Sequence, residues 1–395
     1  MREVYIVSAV RTPIGNLSGV LASVPATALG SAAIKAAIER AGIKPEMVQE
    51  VIMGNVLSAN VGQAPARQAA LGAGLPVGTI CTTVNKVCAS GMKSVAYAAQ
   101  AIMLGTHDVV VAGGMESMSN APHYITQSRK GYGYGNGVLV DGIVRDGLQD
   151  PYDQAMMGNC GDLCAAEKHV SREDQDALAW ASYANGREAQ AKGWFDGEIA
   201  PVSIAVPKKD PIVITRDEEL DNSRITGLDS LAKLRAVFSK EGTITAGNAS
   251  KINDGASALV LMSKEKAEEL GIKPIARIVS FADAEQEPQW FTTSPALAMP
   301  KALAAAGWSV DDCDAVEINE AFAVVALANA RALNIPLEKL NQFGGACALG
   351  HPLGSSGSRI LVTLLSVLRH KGGKRGMAAI CNGGGGASAI CVELL

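Results

Sequence analysis

Apolar positions along this chain cluster into short runs, separated by longer segments in which small and apolar residues recur at helical spacing. Runs at 1–7, 48–55, 80–84, 109–114, 315–318, 378–380 and 389–392 read as buried strands. Segments at 35–41, 94–104, 301–306 and 359–368 read as helices, two of them stopped by Gly42 and Gly307. Helices and apolar strands alternating in this way predict an α/β fold of mixed sheets covered by helices.

The order of elements repeats. Helix, glycine stop and strand at 35–55 return at 301–319, and the strand at 109–114 is answered by another at 378–384. Cys88 and His351 stand at matching junctions, each followed by a Gly/Ser step and a long apolar helix. Two α/β halves are therefore expected, 1–120 plus 249–270 and 271–395. The segment 121–248 has another texture. It holds the Gly/Tyr-rich run Gly131-Tyr132-Gly133-Tyr134-Gly135-Asn136-Gly137, charged amphipathic stretches near 172–179 and a turn-rich Lys208-Lys209-Asp210-Pro211. It reads as an inserted loop domain that covers the site or grips the non-reacting part of a substrate.

Composition narrows the function. Hydrophobic residues make up 48% of the 395, charged residues 19% and aromatics 4%, so the core is built from Ala, Val, Ile and Leu. A net charge of −4 without a basic cluster argues against nucleic acid as a partner. Eight cysteines without a CxxC pair suggest reduced thiols, and five scattered histidines give little support to a metal site. No apolar run approaches the roughly 18 residues of a membrane span, and the expectation from the first residues is that there is no targeting peptide. A soluble cytoplasmic protein is the expectation.

Candidate chemistry sits at the ends of strands. Cys88 follows the 80–84 run and precedes a helix, where free N–H groups and the helix dipole favour thiolate over thiol. Taken alone it reads more simply as a small buried residue. Asn319 follows the 315–318 run, at a strand end where ligands commonly meet α/β sheets. His351 lies between Gly350 and Pro352, and by itself suits a core histidine as well as a catalytic one. Cys381 adjoins Gly383-Gly384-Gly385-Gly386, which between two strands reads as an ordered turn rather than a linker.

The runs Asn85-Lys86-Val87-Cys88-Ala89-Ser90-Gly91, Asn319-Glu320-Ala321-Phe322-Ala323, Gly344-Gly345-Ala346 through Gly350-His351-Pro352, and Cys381-Asn382-Gly383-Gly384-Gly385 resemble, in order and spacing, the four signature segments of the thiolases. Thr245 to Ser250 and Asp254-Gly255-Ala256 extend the resemblance over essentially the whole chain, which is most similar to the biosynthetic acetoacetyl-CoA thiolases. The resemblance implies a five-layered αβαβα fold and a Claisen condensation of two acetyl-CoA to acetoacetyl-CoA and CoA, without a redox cofactor. It implies Cys88 as acyl-carrying nucleophile, His351 as its activator, Cys381 as the base toward the second substrate, His351 with an Asn319-held water as one oxyanion site, and the N–H groups of Cys88 and Gly383 as the other.

For the CoA and acyl portions the resemblance implicates Ser250, Leu234, Phe238, Ala246, Met157 and Phe322, although Leu234 and Phe238 also suit an ordinary helix core face. It implies a potassium-type monovalent-cation site at Tyr183, Ala246, Ala249 and Cys347, while a surface tyrosine is the plainer reading of Tyr183. Met156 stands where many relatives carry histidine, which leaves acyl-chain preference open. A homotetramer built as a dimer of dimers, with residues 131–137 in the tetramer loop, and a cytosolic role in isoprenoid or sterol precursor synthesis are also implied. Two alternatives stand beside this reading: a degradative 3-ketoacyl-CoA thiolase of broader chain length, and a non-catalytic acyl-CoA carrier on the same fold.

Overall fold

The computed structural model describes residues 1–395. The first half runs β1 (Val4–Arg11), α1 (Ala26–Ala41), β2 (Glu50–Gly54), α2 (Pro65–Gly72), β3 (Ile80–Val84), α3 (Ser90–Met103) and β4 (Val109–Ser117). After an insertion carrying α4 (Met157–Glu167) and α5 (Arg172–Ala191), it closes with β5 (Asn253–Ser263). The second half repeats the plan as β6 (Ala276–Glu285), α6 (Pro295–Ala306), β7 (Ala315–Ile318), α7 (Ala323–Leu333), α8 (Leu353–Lys371), β8 (Arg375–Asn382) and β9 (Gly386–Leu394).

Strand order makes the duplication explicit. β2 lies parallel to β3 and β4, and β4 continues antiparallel to β5 and then β1. β7 lies parallel to β8, which continues antiparallel to β9 and β6. The counterpart of β3 has shrunk to one parallel bridge, Val316 to Leu340. The halves are linked edge to edge into a single ten-stranded sheet, because β1 also pairs with β6 across Val4–Ile6 and Ala276–Ile278. Register breaks at Ile6/Ser8 and Ile278/Ser280 follow that short seam. α3 and α8 pack on each other between the half-sheets and touch strands of both, while α1 with α2 and α6 with α7 cover the outer faces. This is the five-layer arrangement.

The central layer explains two helix starts that lie earlier than the sequence predicts. α3 begins at Ser90 rather than 94, and α8 at Leu353 rather than 359, through Gly91 and through Gly354-Ser355-Ser356-Gly357, which local propensity reads as breakers. A Cβ on Gly91 would lie 2.9 Å from the Gly354 carbonyl oxygen, and one on Gly357 would lie 2.4 Å from Met92 N. Only hydrogen at these positions lets the two helices approach, so tertiary packing overrides propensity.

The insertion is anchored by a buried charge cluster. Arg11 reaches Asp217 through both terminal nitrogens at 2.7 and 2.8 Å, and Glu198 through Nε at 2.5 Å. Residues 131–137 form an exposed loop between two short paired strands, His123–Tyr124 and Val140–Asp141. All eight cysteines are free thiols, and no helix is long and apolar enough to cross a membrane.

Candidate active site

Cys88 stands where β3 hands over to α3. Val87 adopts a left-handed φ of 46°, and the turn is pinned by Val87 N donating to Asn85 Oδ1 at 2.9 Å and Lys86 N to Ser90 Oγ at 2.8 Å. The expected thiolate does not follow from this position. Burial pushes the Cys88 thiol up to about 11, and the N–H groups of Gly383 and of Cys88 itself, which oppose the rise, do not cancel it. The resting sulfur is a thiol, so a nucleophilic role for it requires a base.

His351 has the tautomer and charge that such a base requires. A short helical turn, Ala346–Leu349, ends at Gly350 with φ 106°, and His351 N donates to Asn253 Oδ1 at 2.8 Å. Its Nδ1 lies 2.5 Å from Ser356 Oγ, whose hydroxyl donates to the Pro352 carbonyl at 2.9 Å. One hydroxyl has one proton to give, so Ser356 accepts from Nδ1–H and leaves the lone pair on Nε2. Burial, followed by the charge of Arg359, lowers the imidazole to about 3, so it is neutral near pH 7. Asn319, placed directly after β7, brings Nδ2 to 3.5 Å from Nε2, and its buried Oδ1 has no protein partner.

Cys381 is the penultimate residue of β8, and Gly383-Gly384-Gly385 make the tight turn into β9, with left-handed φ of 88° and 93° at the last two. The run is thus the ordered turn expected. Burial, and then the charge of Cys88, raise the Cys381 thiol well above its ordinary value. A Cβ added to Gly383 would sit 3.4 Å from Met157 Sδ and 3.7 Å from a Val87 methyl, so this turn meets the Cys88 loop.

His351 opens on a cavity of about 440 Å³ whose wall includes Met156, Met157, Phe238, Ala246, Ser250 and Phe322. Phe238 and Phe322 meet edge to face with centroids 6.2 Å apart. Leu234 departs from expectation: it is absent from this wall and sits behind Gly247, where an added Cβ would meet its Cδ1 at 2.7 Å. Sequence reasoning missed Met118, Leu148, Val237 and Lys251 in the wall, and Ser356 behind His351. It also missed Glu116, whose carboxylate accepts from Val56 N, Leu57 N and Gly354 N at 2.8 to 3.1 Å, tying the strand ends beneath the site to the start of α8.

The implied cation site does not fit these residues. Tyr183 is fully buried, not a surface tyrosine, and its hydroxyl is bonded to Glu219 at 2.5 Å. The carbonyls of Ala249 and Cys347 accept from Lys251 Nζ at 2.9 and 3.2 Å. No group of three or more His, Cys, Asp or Glu side chains is arranged to hold another metal ion.

Comparison with known proteins agrees with this geometry. Residues 4–265 match the family profile described as "Thiolase, N-terminal domain", and residues 272–394 match "Thiolase, C-terminal domain". The chain is 57% identical over 392 residues to an acetyl-CoA acetyltransferase of Schizosaccharomyces pombe, covering 99% of this chain and 98% of that one. It is 52% identical over 393 residues to a cytosolic acetyl-CoA acetyltransferase of Gibberella zeae, covering 99% of this chain and 98% of that one. The crystal structure of the Bacillus anthracis acetyl-CoA acetyltransferase superposes with a TM-score of 0.97 at 40% identity, covering 100% of this chain and 99% of that one. The chain belongs to the thiolase family.

Proposed function

We propose that this protein is an acetyl-CoA C-acetyltransferase, condensing two acetyl-CoA to acetoacetyl-CoA and CoA and catalysing the reverse thiolysis. The observation that carries this reading is the neutral His351 with an unprotonated Nε2 facing Asn319, together with two buried thiols, Cys88 and Cys381, on loops that meet at Val87 and Gly383. Full-length similarity to acetyl-CoA acetyltransferases supports the same substrate.

Burial disfavours thiolate and imidazolium alike, so proton transfer from Cys88 to Nε2 accompanies attack of the sulfur on the thioester carbonyl rather than preceding it. The departing CoA thiolate takes the Cys381 proton, leaving acetyl-Cys88, Cys381 thiolate and His351 imidazolium. Cys381 then removes a proton from the methyl carbon of the second acetyl-CoA, and the carbanion attacks the acetyl carbonyl. Collapse expels the Cys88 thiolate, which recovers its proton from His351, so every proton is returned. The protonated Nε2, with a water held by Asn319, stabilises the enolate oxygen; the N–H groups of Cys88 and Gly383 stabilise the tetrahedral oxyanion. Each such donor contributes roughly 3–4 kcal/mol to the transition state.

Ser250, Ala246, Phe238 and Met157 hold the pantetheine and acyl portions, with Phe322 as the acyl wall, and the segment 121–248 acts as the CoA-binding insertion. Copies join through the free edge of β3, where Ile80 is exposed, and through the exposed 131–137 loop, giving a cytoplasmic dimer of dimers. A light-scattering mass near that of one chain contradicts this assembly. The activity is tested by acetyl exchange between CoA and a CoA analogue in Cys88→Ala: exchange is lost, and its survival overturns the covalent route. Strong cleavage of long 3-ketoacyl-CoA substrates by the unaltered enzyme overturns the short-chain reading.

A further inference from the structure

Two loops that build the pocket are joined by one ammonium group. Lys251 follows Ser250 on the segment that lines the cavity, and its Nζ donates to the carbonyl of Ala249 on that segment and to the carbonyl of Cys347, four residues before His351. The same nitrogen lies 5.8 Å from the centroid of the buried Tyr183 ring. Burial lowers the Lys251 ammonium below its ordinary value, and Glu219, hydrogen-bonded to Tyr183, and Glu320, which accepts from Cys347 N at 3.1 Å, oppose that shift.

We infer that Lys251 is a built-in cation: its ammonium occupies the carbonyl cradle between the pantetheine segment and the His351 turn, so this enzyme does not take up a monovalent metal ion there. Two backbone carbonyls, an aromatic face and nearby carboxylates are the surroundings that either an alkali ion or an ammonium satisfies, and a covalently tethered one has no binding entropy to lose. Lys251 touches none of the groups that react. It is a positioning residue that fixes the Cys347 carbonyl, and with it the turn leading to His351, against the loop bearing Ser250.

The test compares the full-length enzyme and Lys251→Ala in potassium, sodium, ammonium and choline chloride at equal ionic strength, by melting temperature and by thiolysis of acetoacetyl-CoA. The unaltered enzyme has the same melting temperature and, within twofold, the same kcat/KM in all four salts. Lys251→Ala loses at least tenfold in kcat/KM in choline, chiefly through KM, and saturable addition of potassium or ammonium restores most of that loss and raises the melting temperature. Saturable activation or stabilisation of the unaltered enzyme by potassium overturns the inference, and that measurement decides the matter if the variant does not fold. A folded variant with unchanged kinetics, or with a loss that neither ion restores, overturns it as well. The inference rests on the thiolase reading only for its kinetic arm: absence of thiolysis with the melting behaviour intact counts against the proposed activity and not against Lys251.

Discussion

His351 Nδ1 lies 2.5 Å from Ser356 Oγ, one helical turn along the same buried segment, and Ser356 is itself committed to the Pro352 carbonyl. That pair sets which ring nitrogen faces the reacting atoms. Ser356→Ala leaves a buried Nδ1 without its acceptor, at a cost of about 1–3 kcal/mol. The expected result is a roughly 5- to 150-fold fall in kcat with little change in KM, measured by steady-state thiolysis.

The Cys88 loop is held to the second half by charge. Lys86 and Lys93 reach the two oxygens of Asp283 at 2.8 and 2.6 Å, and Ser388 also donates to it. Burial would raise the Asp283 carboxyl, but these bonds outweigh it and hold the group at about 2. A carboxyl depressed when folded adds stability above its unfolded value near 3.8, and that stability is lost as pH falls toward 2. After allowance for its partial exposure, the contribution is about 1–2 kcal/mol. Asp283→Asn therefore lowers the urea midpoint at pH 7, and the gap to the unaltered protein narrows as pH drops below 4.

The buried Arg11 cluster makes a sharper demand. Asp217→Ala leaves the guanidinium with Glu198 as its one paired carboxylate in a fully buried setting, and breaking such a pair from one side costs about 3–5 kcal/mol. Urea unfolding monitored by tryptophan fluorescence checks this. Because Asp217 also accepts from Ile14 N, whose neighbours Asn16 and Leu17 line the cavity, KM for acetoacetyl-CoA rises too.

Met156 lines the cavity with Met157 and Leu148. Met156→Ala opens room for a longer chain, and two buried methylenes are worth about 1.6 kcal/mol. The ratio of kcat/KM for 3-ketohexanoyl-CoA over acetoacetyl-CoA is expected to rise roughly tenfold.

Legibility in the sequence followed the reach of the interactions. β3 spans Ile80–Val84 as read, and the strand before Asn319 is Ala315–Ile318, because apolar runs between polar junctions report burial locally. α3 and α8 were misjudged at their starts because the glycines that look like breakers are set by a partner helix more than 250 residues away. The positions of Cys88, Asn319, His351 and Cys381 at strand or turn ends were legible because apolar runs and glycines mark those junctions locally. Ser356, Glu116 and Lys251 were not: a serine, a glutamate and a lysine are ordinary in sequence, and only their partners make them matter. Cys88 was placed correctly and its charge misread, since the helix terminus is visible in the sequence and the burial that outweighs it is not.

The most direct measurement is rapid quenching of the enzyme with acetyl-CoA, followed by peptide mass spectrometry. One acetyl group on the peptide containing Cys88, absent in Cys88→Ala and discharged by added CoA, is the predicted result. Acetyl on Cys381 instead, or turnover without any acetylated cysteine, contradicts the account.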